Sequence, residues 1–113
     1  LNAIIVDAIQ DVKGHEIVII DLTSIEDASA DYFIVCHGNS PSQVNAIADK
    51  VVKKTTELAG ESPVHVEGKT NGRWVIADYF NTVVHIFHRE SREFYRLEEL
   101  WSDGVVSNIK TDY

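Results

Sequence analysis

Methionine is absent from the 113 residues, cysteine occurs once and proline twice, and each scarcity removes a class of protein. A lone cysteine, Cys36, forms no intrachain disulfide, so a disulfide-stapled secreted scaffold is excluded and a reducing compartment is the simpler expectation. Lying in the apolar run DYFIVCH, it reads as a core residue. A chain without methionine is expected to begin inside a longer translation product, which leaves its compartment on weaker grounds. No apolar stretch approaches the ~20 residues that span a bilayer, and no charged segment with a small-residue cleavage site opens the chain. Cations are also few, 10 Lys and Arg against 18 Asp and Glu, for a net charge of -8. That balance repels a phosphate backbone and disfavours non-specific nucleic-acid binding, whereas a basic protein is a matching partner.

What is present suits one globular domain. Hydrophobic residues make up 44% and charged residues 25%, with no repeats or low-complexity linker. Ile4, Ile5, Ala8, Ile9 and Val12 recur at helical spacing, which predicts an opening helix over 3–12 with Asn2 as N-cap and Gly14 as its stop. EIVIIDL and DYFIVCH are continuous β-branched runs and read as strands buried on both faces. Ser40, Pro41 and Gln43 combine an N-cap, a first-turn proline and a capping-box partner. They start a helix whose stripe runs Val44, Ile47, Ala48, Val51 and Leu58 and which Gly60 ends. From Val64 a three-stranded antiparallel meander follows, turning at GKTNG and again after Tyr79. A single terminal helix over HRESREFYRLEELW places Phe94, Leu97, Leu100 and Trp101 on one stripe. Residues 1–102 form the expected domain and 103–113 a loosely ordered tail. The order αββαβββα implies a mixed α/β sheet of roughly five strands with at least one parallel neighbour. Three helices cover such a sheet incompletely and leave part of the meander open.

Several constellations suggest chemistry. The HGNS turn leads into a helix N-terminus, which attracts anions, but an N-cap explains it as well. A Gly-x-Ser turn beside a mixed sheet also suggests a nucleotidyltransferase-like, nucleotide-binding enzyme. That chemistry needs paired carboxylates on Mg²⁺, and no Asp-x-Asp or Asp-x-Glu occurs. Five histidines (His15, His37, His65, His85 and His88) lack HExxH spacing, so no metal site or other cofactor is expected. Cys36 and His37 do not make a nucleophile pair, because adjacent strand residues face opposite ways. In the meander, a turn at Phe80 and Asn81 sets Asp78 against Val83, Ile76 against His85 and Trp74 against Phe87. One face then carries Trp74, Ile76, Asp78, Val83, His85 and Phe87, a mixture of aromatic and polar groups that fits a protein-docking patch and equally fits a face covered by helices with Asp78 paired to His85 or Arg92.

DYFIVCHGNSPSQVNAIAD, VEG, W-x-x-x-D, VVHIF and SREFYRLEELW occur in this order and spacing, and with them residues 1–102 resemble the ribosomal silencing factor family, RsfS or iojap-like. The resemblance implies a nucleotidyltransferase-like core without catalytic carboxylates and a non-enzymatic, cytoplasmic factor with relatives in organelles. It implies binding to the fourteenth protein of the large ribosomal subunit, a block on subunit joining when nutrients fall, and homodimers in the free state. Taken with the meander face, it makes Trp74, Phe87 and Tyr95 the expected aromatic anchors and Ile76, Asp78, His85 and Glu98 their neighbours against the partner. One departure stands out: the family usually has Asp-x-Gly-Asp at the meander turn, where this chain has Asp78, Tyr79, Phe80 and Asn81. A phenylalanine takes a positive φ less readily than glycine, which puts the turn and its register at issue.

Overall fold

The computed structural model describes residues 1–113. Its elements run α1 (Asn2–Asp11), β1 (His15–Asp21), β2 (Tyr32–Gly38), α2 (Pro41–Ala59), β3 (His65–Glu67), β4 (Trp74–Asp78), β5 (Thr82–His88), α3 (Arg89–Tyr95), α4 (Leu97–Leu100) and β6 (Val105–Asn108). The strands form one mixed sheet in the order β3-β4-β5-β2-β1-β6. β2 and β5 pair in parallel at its centre, joined through the α2 crossover, and every other pairing is antiparallel. The mixed architecture is as expected, but the sheet has six strands. The sixth comes from the segment expected to be a loose tail: Val105–Asn108 add to the free edge of β1, and the Ile109 N–H donates to the Ile17 carbonyl at 2.9 Å. Four residues with no apolar alternation give no strand signal of their own; the unpaired backbone of β1 orders them.

Alternation along the strands divides the core in two. Ile34 and Cys36 of β2, Val75 and Ala77 of β4, and Val84 and Ile86 of β5 face α1 and α2, where Ile5, Ala8, Ile9, Val44, Ile47, Ala48 and Val51 meet them. Ser40 caps α2 by accepting from the Gln43 N–H at 3.1 Å, and Gly60 closes it in the left-handed conformation. Lys54 bridges α2 to α1 through Asp7 and Asp11 at 2.8 and 2.6 Å. The helical stripe ends before Leu58, which is exposed. Asn2 does not cap α1. Its side chain accepts from the Thr82 hydroxyl at 2.8 Å and ties the helix to β5 instead.

The expected single terminal helix is two short ones. Arg96 turns left-handed at φ 49° between them, so the stripe is broken: Leu97 is buried, Trp101 half-buried, and Phe94 and Leu100 are exposed. The meander register is the one expected, with Trp74 opposite Phe87, Ile76 opposite His85 and Asp78 opposite Val83. Phe80 pays for it in strain. Its φ is 74°, the Asn81 N–H reaches the Tyr79 carbonyl across it at 3.0 Å as a γ-turn, and Asp78 Oδ1 accepts the Phe80 N–H at 2.8 Å. The Tyr79 N–H then donates to the Thr82 carbonyl at 2.9 Å and closes the hairpin. The turn therefore forms without glycine.

Phe80 is 75% exposed, so its ring gains little burial in exchange for that backbone. Phe80→Gly is expected to raise stability by about 0.5–1 kcal/mol, measured by thermal or urea unfolding, because the left-handed penalty of ~1–2 kcal/mol exceeds the entropy glycine adds to the unfolded chain.

Candidate functional site

The second sheet face is dressed differently from the first. Val18 and Ile20 of β1, Phe33 and Val35 of β2, and Phe87 of β5 pack under Leu22, Ala30 and Leu97, while Ile25, Ala28, Trp74, Val83 and Trp101 are only half-covered. No long helix lies here. α3, α4 and the loop between β1 and β2 cover the face in part, and β4 with its neighbours is left as an aromatic strip.

Trp74 is its centre. The indole stacks on Phe87 with ring centres 4.9 Å apart and meets Tyr95 of α3 at 4.7 Å, and Phe94 lies edge-on to Tyr95 at 5.1 Å. Its ring N–H donates to His85 Nδ1 at 3.1 Å. Trp74 and Tyr95 line a groove with Pro41, Arg73, His88 and Phe94. Phe94, which its spacing places on one stripe with Leu97 and Trp101, is 79% exposed, so the break at Arg96 adds an aromatic to the strip.

The structure divides the seven candidate residues. Trp74, Ile76 and Asp78 are half-buried on β4, and Tyr95 is exposed on α3. Asp78 keeps one carboxylate oxygen on the Phe80 N–H. Phe87 has no exposed surface and supports Trp74 from below. Neither is His85 available to a partner, being 6% exposed. Glu98 is held within the chain: its Oε1 accepts from Arg92 Nη2 at 2.8 Å and Nε at 2.9 Å. The Arg92 side chain is 11% exposed, so drawing Glu98 onto a partner's cation would strand a nearly buried charge, at a cost of several kcal/mol. Phe87 and His85 therefore lie beneath the exposed surface of the strip, and Glu98 is paired within the chain. Phe33, about fifty residues away in the chain, lies edge-on to His85 at 4.6 Å, and Trp74 and Tyr95 lie against Phe87.

Three titratable groups, Cys36, His37 and His85, are buried in the fold. Cys36 is fully buried, and burial pushes its thiol up to about 12. His37 faces the other side of the sheet, where its Nδ1 accepts from Arg92 Nη1 at 3.0 Å. Burial and then the Arg92 charge bring His37 down to about 4, against a weaker pull from Glu16 and with smaller depressions from His15 and Arg89. Burial likewise brings His85 down to about 4, with Asp78 opposing. At the HGNS turn the Ser40 hydroxyl is engaged in the helix cap, and Gln43 reaches back to the Asn39 N–H at 2.8 Å. No group of three His, Cys, Asp or Glu side chains is arranged to hold a metal ion.

Residues 1–112 match the family described as "Ribosomal silencing factor during starvation". The chain is 40% identical over 105 residues to the ribosomal silencing factor RsfS of Halalkalibacterium halodurans, covering 93% of this chain and 88% of that one. It is 35% identical over 74 residues to the mouse protein named mitochondrial assembly of ribosomal large subunit protein 1, covering 64% of this chain and 32% of that one. A crystal structure of a Chromobacterium violaceum protein superposes with a TM-score of 0.84 at 33% identity, covering 99% of this chain and 88% of that one.

The two buried histidines set an acid dependence. Both ordinarily titrate near 6.5 and stand at about 4 in the fold, so between those values the unfolded chain binds more protons than the folded one. Stability is expected to fall as pH drops from 6.5 towards 4, by at most about 1.4 kcal/mol per pH unit for each histidine. Urea midpoints taken across that window check it, and His85→Phe is expected to flatten the slope by one histidine's share.

Proposed function

The chain belongs to the ribosomal silencing factor family, and from that premise we propose that it docks on the large ribosomal subunit and keeps the small subunit from joining. The reading carries the resemblance through to a contact: the fourteenth protein of the large subunit, on the side the small subunit would occupy, is the docking partner. Exclusion is steric, with no bond made or broken, and it operates in the bacterial cytoplasm, in keeping with a relative from the bacterium Halalkalibacterium halodurans. In the free state the chain pairs with a second copy.

The observation that carries this reading is the aromatic strip around Trp74. A half-buried tryptophan stacked on Phe87 and flanked by a tilted Tyr95 is a preordered anchor: the side chain has already lost most of its freedom, so docking it costs little further entropy. Ile76, Asp78 and Phe94 extend the surface around it. The net charge of -8 suits a basic ribosomal protein and opposes direct attachment to ribosomal RNA. The mouse relative's name ties a homologous protein to the large subunit as well.

Purified protein is expected to co-sediment with isolated large subunits at moderate salt, to leave small subunits unbound, and to slow formation of whole ribosomes in a light-scattering assay. Equal binding to both subunits would overturn the reading. Trp74→Ala is expected to weaken large-subunit binding about thirty-fold, the equivalent of ~2 kcal/mol, while a melting curve shows that the chain remains folded.

A further inference from the structure

Beneath Trp74 the structure holds a buried group that packing alone does not explain. Trp74 Nε1 can only donate, and its partner at 3.1 Å is His85 Nδ1, so Nδ1 is the acceptor and the His85 proton sits on Nε2. That Nε2 is buried and has no hydrogen-bond partner. The imidazole lies among rings, with Phe33 edge-on at 4.6 Å and Phe87 stacked at 6.4 Å, where a phenyl ring would fill similar space and leave no donor unpaired. What a phenyl ring would lack is the acceptor for the indole.

Stacking on Phe87, with Tyr95 tilted against the indole, fixes the plane of Trp74 but does not choose between the two orientations that differ by a half-turn of the ring. A directional hydrogen bond does. The strand register supplies the geometry: Ile76 is opposite His85 and Trp74 opposite Phe87, which sets His85 diagonally beside Trp74 on the same face. We propose that His85 is a positioning residue that locks the Trp74 indole into the one orientation competent for docking. The inference rests on the docking role argued above and adds a chemical requirement to it. With the indole N–H turned into the fold, the exposed ring offers no donor, so the surface that receives Trp74 presents apolar groups or a cation over the ring and no acceptor aimed at it.

Two substitutions test this in the full chain. His85→Phe keeps a ring and removes both the acceptor and the unpaired donor. It is expected to melt at or above the wild-type temperature, to speed solvent exchange of the Trp74 indole N–H in ¹H–¹⁵N spectra, and to weaken large-subunit binding about ten-fold. His85→Asn sets an amide oxygen where Nδ1 lies and is expected to restore slow exchange and recover binding to within about three-fold of wild type. In a Trp74→Ala background, His85→Phe is expected to change binding no further, a coupling that a purely structural residue would not show. If wild-type protein binds large subunits and His85→Phe binds equally well, the positioning role is wrong and the docking role stands. Should wild-type protein itself fail to bind, the docking role falls and takes the inference with it. An indole N–H that exchanges as slowly in His85→Phe as in wild type would also overturn it, since no hydrogen bond would then have been lost.

Discussion

The parallel pairing of β2 with β5 is the constraint on which the rest of the structure depends. Tyr32–Gly38 run beside Thr82–His88 in unbroken register, though about fifty residues separate them in the chain. A parallel neighbour requires a crossover, and the nineteen-residue α2 provides it on one side of the sheet. Placing α2 there decides which strand faces are sealed: Ile34, Cys36, Val84 and Ile86 go under it, and the opposite faces of the same two strands are left for the shorter elements to cover.

Those shorter elements cover incompletely, and the candidate site follows from that. α3 and α4 amount to two turns and one turn, broken at Arg96, and they bury Leu97 while turning Phe94 and Tyr95 outward. Trp74 stacks on the fully buried Phe87 and meets the exposed Tyr95 at a tilt. A sheet face with a second long helix across it would have made the same tryptophan core. The ion pair of Arg92 with Glu98 holds α3 to α4 across the break, and Arg92 also reaches His37 of β2, so one guanidinium ties the cover to the sheet.

Much of this was legible from the residues. Unbroken β-branched runs predicted β1 and β2 as strands, because strands covered on both sides take near-continuous apolar runs, and β2 does lie at the centre of the sheet, whereas β1 is second from its edge. Ser40, Pro41 and Gln43 marked the start of α2, because capping is local chemistry. Period-two alternation assigned Trp74, Ile76 and Asp78 to one face, and the hairpin kept the expected register even with Phe80 in a conformation that glycine takes more readily. The order of motifs also identified the family, which the match over residues 1–112 shows.

Tertiary structure decided the remainder, where a residue's environment comes from segments distant in sequence. Val105–Asn108 became a strand because β1 had a free edge to satisfy, not through any propensity of their own. Phe94 and Leu100 shared a helical stripe with Leu97 on paper and lost it to the left-handed Arg96. His85 and Phe87 have the right face for a partner but are buried, with Phe33, Trp74 and Tyr95 against them, and Glu98 is held by Arg92. Sequence thus fixed which side chains share a strand face, since that depends on a two-residue repeat. Which of them meet solvent depends on what the chain lays over that face, and only the packed fold determines it.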